Sequence, residues 1–265
     1  MVTPFTESSY ELENPETGIA YEVTVEPPNR YATHPDKSYP IVICLDGLWT
    51  YGPVRDAFRI LSLGRELPEA VVVGVGHAHP DLREVLQLRA IDFTPTEFNS
   101  PPETGVQLPA DQVGRAANFR RFLVDTILPS VAERYRITDD RTLVGHSFSA
   151  LFGLDTLLNE PEAFNRWVLT SPSVWWDNRV MFRREDEHAA VADDLHGRVF
   201  LSVGSDESIG EPSEGFVGFG GQQEIYERLA SRAYPSLDLT WCRFPGETHQ
   251  SVISGAVVRG LRSVH

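Results

Sequence analysis

The chain has 265 residues, 41% of them hydrophobic, and its formal net charge is -15. That length suits one well-buried α/β domain, so residues 1–265 are expected to form a single domain. Lys37 is the only lysine, and an acidic surface argues against a nucleic-acid partner or an anionic membrane, since both require a basic patch. The acidity is read as a device for solubility rather than for attracting a cationic substrate. Cys44 and Cys242 each lie in an apolar run and read as buried thiols, with no metal-ligand spacing. The start, from Met1 to Glu7, lacks a basic flank and an apolar stretch, and no run anywhere approaches eighteen apolar residues. A cytoplasmic location follows as the expectation.

Residues 7 to 26 alternate in polarity and end at Pro27-Pro28-Asn29, which predicts an antiparallel hairpin at the edge of a sheet. From Tyr39 onward the pattern changes to solid apolar strands: Ile41 to Leu45, Ala70 to Val75, Thr142 to Val144, Arg166 to Thr170, Val199 to Val203 and Leu237 to Trp241. Uninterrupted apolar strands belong to a parallel sheet covered by helices on both faces. Phe119 to Tyr135, Ala150 to Leu158, Gln223 to Ala233 and Gln250 to Leu261 read as helices. Phe93 to Asp111 and residues 205 to 221 read as long loops of the kind that often carry function. The predicted class is α/β, with a mostly parallel central sheet and an antiparallel N-terminal edge.

Val144-Gly145-His146-Ser147-Phe148-Ser149 joins a buried strand to a helix. A corner of the form G-x-S-x-G strains the serine backbone and lifts the hydroxyl above the sheet. Here Ser149 replaces the last glycine, at a position that demands a small side chain. A serine hydroxyl needs a histidine base, and the histidine needs a carboxylate to fix its tautomer. The chain supplies both in order, with Asp206 and Glu207 after one strand and His249 after the next. The oxyanion requires two backbone amides. Phe148 offers the first and Leu48, in the turn Asp46-Gly47-Leu48, a second, although a plain strand-ending turn would read the same.

These residues resemble the putative-esterase branch of the α/β-hydrolases, which includes the siderophore esterases acting on enterobactin-type trilactones. The resemblance covers most of the chain. It rests on Leu45-Asp46-Gly47, Arg89-x-x-Asp92-Phe93-Thr94-Pro95, Gly145-His146-Ser147, Ser171-Pro172-Ser173-Val174-Trp175-Trp176, Gly204-x-x-Glu207 and Gly246-x-x-His249. It implies an α/β-hydrolase fold, Ser147 as nucleophile, His249 as base, Glu207 rather than Asp206 as the favoured acid with the choice left open, and Leu48 and Phe148 as oxyanion donors. Related enzymes carry glycines after the nucleophile, where this chain has Ser149 and Ala150. The implied substrate is a small-molecule ester, with no cofactor, no metal and an open oligomeric state.

Arg89 has two readings: a contact with an anionic or catecholate part of the substrate, or a structural pair with Asp92, the latter preferred. Trp175 and Trp176 either wall the substrate pocket or belong to the core. His77 and His79 read as loop residues, not a metal pair. His146 is set aside as a base, because neighbours on a tight turn point apart, and His188, His196 and His265 read as surface. Two other functions fit the same motifs: a mycolyltransferase-like acyltransferase, and a non-catalytic binding protein that keeps the α/β-hydrolase fold.

Overall fold

The structure is a computed structural model that describes residues 5–98, 110–207 and 220–265. Its strands are β1 (Ser8–Glu13), β2 (Ala20–Glu26), β3 (Tyr39–Leu45), β4 (Val71–His77), β5 (Ile137–His146), β6 (Arg166–Thr170), β7 (Gly197–Gly204) and β8 (Leu237–Phe244). They form one sheet in the order β1-β2-β4-β3-β5-β6-β7-β8. The first hairpin is antiparallel and β2 pairs antiparallel with β4, while every other pairing is parallel. All six predicted apolar strands and the edge hairpin are therefore present.

The solid apolar runs have a direct cause. Ile41, Ile43 and Leu45 of β3 enter one core, and Val42 and Cys44 enter the other. Successive side chains of a strand point to opposite faces, so a strand covered on both sides has no polar phase. Helices α1 (Gly47–Leu63) and α8 (Val252–Val264) cover one face. The other is covered by α2 (Leu82–Phe93), α3 (Ala116–Phe122), α4 (Leu128–Ala132), α5 (Phe148–Asn159), α6 (Trp176–Val191) and α7 (Gln222–Arg232). The helix predicted over Phe119 to Tyr135 is α3 and α4 joined by a π-helical turn, Leu123–Ile127.

The predicted loop at Phe93 begins one residue later, since α2 includes Phe93, and its middle lies outside the described residues, as does most of the loop at 205 to 221. Cys44 is buried as expected, whereas Cys242 is only half-buried, because edge strand β8 is covered incompletely. Among the described residues no helix is long and apolar enough to cross a membrane.

Candidate active site

Strand β5 ends at His146 and α5 begins at Phe148, so Ser147 alone turns the corner, with φ 61° and ψ -117°. A non-glycine residue held there costs about 1–3 kcal/mol and persists only where its surroundings over-determine it. The Ser147 amide donates to the Thr170 carbonyl at 3.0 Å, and its own carbonyl accepts from Leu151 and Ser173. Its Oγ lies 3.3 Å from the Ser173 hydroxyl. Gly145 is required: a Cβ there would sit 2.5 Å from the Ser149 carbonyl oxygen. Ser149 meets the demand for a small residue and adds something glycine cannot. Its hydroxyl accepts from the His146 amide and donates to the His146 carbonyl, each at 2.9 Å.

Strands β7 and β8 follow β5 and β6 in sheet order, and the loops after them bring an acid to a histidine. The His249 Nδ1 lies 2.9 Å from Glu207 Oε2, and since a carboxylate can only accept, Nδ1 carries the proton. The other oxygen, Oε1, accepts from the Gly204 amide at 2.6 Å and the Ser171 hydroxyl at 2.5 Å. Gly204 must lack a Cβ, which would meet the Glu247 carbonyl oxygen at 2.3 Å. Asp206 faces elsewhere: its amide donates to the Glu247 carbonyl and its carboxylate accepts from Ser205. The structure thus joins Glu207, not Asp206, to the imidazole. The His249 ring stands against the elbow, its centroid 4.5 Å from that of His146.

Leu48 and Phe148, whose amides are expected at the oxyanion, occupy matching places after two paired strands. Cys44 of β3 is opposite Val144 of β5, and Leu48 and Phe148 each lie four residues further along. Both fall at the start of a helix, α1 and α5, where the first amides have no intrahelical acceptor and the dipole favours negative charge. Asp46, immediately before α1, adopts the left-handed conformation at φ 56°. Arg89 of α2 holds it with two parallel bonds, Nε to Oδ1 at 2.6 Å and Nη2 to Oδ2 at 2.8 Å.

The family model described as "Putative esterase" matches residues 15–241. The chain belongs to that family. This esterase is 29% identical over 233 residues to the ferri-bacillibactin esterase BesA of Bacillus subtilis, covering 86% of this chain and 79% of the relative. It is 33% identical over 145 residues to a siderophore enterobactin esterase of Emericella nidulans, covering 52% and 48%. Among solved structures it is similar to the BES protein from Bacillus cereus, with a TM-score of 0.81, 28% identity, and 100% and 96% of the two chains covered. An IroE-like serine hydrolase from Shewanella oneidensis gives a TM-score of 0.82 at 25% identity, covering 97% and 79%.

Several polar residues of the esterase differ from expectation. Arg89 does not pair with Asp92, because Asp46 takes its guanidinium; Asp92 instead accepts from the Tyr21 hydroxyl and bonds His77 Nε2 at 2.8 Å. His77 is accordingly a strand-end residue with a buried side chain rather than a loop residue. Trp175 and Trp176 are both buried, and Trp176 sits in the core with its indole nitrogen toward Thr96. Trp175 packs on Phe148, centroids 6.0 Å apart. His196 is exposed, but His188 bonds the Leu158 carbonyl and His265 bonds Thr142, so neither is a free surface group. The sequence assigns no role to Ser171 and Ser173. The available signal is their place just after β6, the strand between those of the nucleophile and the acid: Ser171 bonds Glu207 and Ser173 lies against Ser147.

Proposed function

We propose that this esterase cleaves carboxylic esters by nucleophilic attack of Ser147, with His249 as general base and Glu207 as its carboxylate. The Glu207 to His249 contact of 2.9 Å beside the strained serine corner carries this reading. With Nδ1–H given to Glu207, Nε2 is the nitrogen that takes the Ser147 proton as Oγ attacks the carbonyl carbon. The oxyanion forms against the amides of Leu48 and Phe148, which the helix starts orient in advance. His249 then returns the proton to the departing alcohol. The acyl-enzyme is hydrolysed by water activated at the same nitrogen, and the cycle calls on no cofactor.

The substrate class proposed is siderophore esters, trilactones or their linear fragments. The names of the relatives support it, and since they denote hydrolysis they also support water over an alcohol as acyl acceptor. Arg89 serves this chemistry by pinning Asp46, so that the Leu48 amide keeps its place. The test is turnover of short-chain p-nitrophenyl esters by the wild type and Ser147→Ala, followed by a panel of ferric and iron-free siderophores. Activity confined to the wild type, extending to siderophore esters, is expected. Equal rates for the two proteins would remove the nucleophile assignment, and p-nitrophenyl turnover without any siderophore turnover would remove the substrate class.

A further inference from the structure

The turn after β6 touches both the acid and the nucleophile. Ser171 and Ser173, on either side of Pro172, are buried. Ser171 holds the left-handed conformation at φ 50°, and its hydroxyl donates to Glu207 Oε1 at 2.5 Å. Ser173 lies against the nucleophile: its amide donates to the Ser147 carbonyl at 3.3 Å, and its Oγ is 3.3 Å from Ser147 Oγ. The Ser147 amide in turn donates to the Thr170 carbonyl at 3.0 Å, so turn and elbow are fastened to each other through backbone and side chain alike. The Pro172 carbonyl accepts from the Val174 amide at 2.8 Å and from Gln222 Nε2 at 3.3 Å, and the Ser173 carbonyl accepts from the Trp176 amide at 3.1 Å, which fixes where the Ser173 hydroxyl stands. A left-handed residue other than glycine and a buried hydroxyl each cost free energy, which an alanine filling the same space as Ser173 would avoid in the case of the hydroxyl.

We propose that Ser173 is a further catalytic residue, its hydroxyl donating to Ser147 Oγ while that oxygen makes and breaks its bond to the acyl carbon. The proposal rests on the reading of Ser147 and His249 as nucleophile and base. The direction of the hydrogen bond follows from counting protons. A hydroxyl has one; that of Ser147 goes to His249 in the proposed reaction, and in the acyl-enzyme Ser147 Oγ is an ester oxygen with none, so only Ser173 can donate. In the attack, an Oγ electron pair forms the bond to the carbonyl carbon as the Ser147 proton passes to His249. In deacylation the same bond breaks, its electron pair returns to Oγ, and the proton comes back from His249. Ser173 keeps its own proton throughout. At both moments Oγ carries partial negative charge. The resting separation of 3.3 Å is long for two hydroxyls, whereas an O–H bond to a charged oxygen contracts to about 2.5–2.7 Å. The contact is therefore weak in the resting enzyme and strongest in the transition state, which is the condition for an interaction to raise the rate.

The experiment compares wild type, S147A, S173A, S173T and S173V, recording kcat and kcat/KM for p-nitrophenyl acetate, the rate of Ser147 labelling by an organophosphonate, and the thermal midpoint. S173A is expected to lose about tenfold to a hundredfold in kcat, kcat/KM and labelling rate, the worth of one hydrogen bond to a charged oxygen, while remaining folded. Thr and Val are of equal size and differ in the hydroxyl, so S173T is expected to be about tenfold faster than S173V. Should S173A not fold, the comparison of S173T with S173V decides alone. The proposal is overturned if folded S173A stays within about twofold of wild type, or if folded S173T is no faster than S173V. Equal rates for wild type and S147A would instead overturn the serine mechanism, and the role of Ser173 with it.

Discussion

Glu207→Gln isolates the tautomer on which the mechanism depends. Oε1 accepts from two donors, Gly204 N–H at 2.6 Å and Ser171 Oγ at 2.5 Å, while Oε2 faces His249 Nδ1 at 2.9 Å. An amide has one oxygen and one NH2 group, so it must choose between these sides. With its oxygen toward Gly204 it keeps both buried donors satisfied and turns the NH2 toward His249. Nδ1 must then accept, which drives the proton to Nε2, the atom that should receive it from Ser147. The reverse orientation sets NH2 against the Gly204 amide and leaves that buried donor unpaired, at a cost of about 1–3 kcal/mol. The amide will therefore adopt the catalytically wrong arrangement. The corresponding exchange in a serine, histidine and carboxylate triad is worth ~10⁴ in kcat, or about 5 kcal/mol of transition-state stabilisation. Stability should change little, by about 1 kcal/mol, because only the bond to His249 changes character. The assays are kcat and KM for p-nitrophenyl acetate at neutral pH, with urea unfolding as control. A folded variant within about tenfold of wild type would refute the argument.

Three further outcomes are expected. Gly145→Ala places a Cβ 2.5 Å from the Ser149 carbonyl oxygen and 2.6 Å from its carbon, both backbone atoms; it should lower stability by about 1–3 kcal/mol and reduce labelling of Ser147 by an organophosphonate, and an unchanged labelling rate would contradict the elbow geometry. Burial, with Arg166 and Arg198 adding to it, lowers the His265 pKa from 6.5 to about 4. The folded imidazole thus refuses a proton that the unfolded one accepts, so stability should fall as pH drops from 6.5 toward 4, by at most about 3 kcal/mol; H265Q should flatten that slope in urea titrations, and an equal slope in both proteins would refute the assignment. A net charge of -15 repels itself, and the screening length shrinks from about 30 Å at 0.01 M to about 3 Å at 1 M salt. The thermal midpoint should rise with sodium chloride over this range, and a flat or falling midpoint would refute the self-repulsion.

The parallel strands were legible because burial on both faces leaves a mark that no local preference disguises. Helices α1, α2 and α6 left no comparable mark. In α2 the amphipathic pattern is blurred: Arg89 and Asp92 are buried beside Val85, Ala90 and Phe93 while Leu82 and Leu86 are exposed, since this helix delivers charged groups inward. In α1, Gly52 and Pro53 interrupt the pattern and Leu48, Ile60 and Leu63 face outward. At the site, the order of serine, acid and histidine after β5, β7 and β8 could be read because topology fixes it. The partner of Arg89 could not, because spacing along the chain points to Asp92 three residues away, whereas Asp46 is 43 residues distant. Between Asp206 and Glu207 the choice falls to the backbone of the loop, where the Asp206 amide is tied to Glu247 and only the next side chain turns under the imidazole.

Two strained corners, not one, underlie the site. Asp46 at φ 56° precedes α1 and Ser147 at φ 61° precedes α5, on strands whose register fixes Cys44 opposite Val144. Each corner is a place where relaxation of the backbone would rotate a helix-start amide away from the proposed oxyanion position. Each is also restrained by a partner that the nucleophile motif does not contain: a buried arginine fork on Asp46, and the Ser149 hydroxyl next to Ser147. Strain of about 1–3 kcal/mol per corner is small beside the several kcal/mol lost when one partner of a buried ion pair is removed. The arginine fork therefore has ample strength to hold its corner. The serine clamp, made of two neutral bonds worth about 1 kcal/mol each, only balances the strain it opposes. Of the two corners, the elbow is accordingly the one that a single substitution can loosen without unfolding the protein.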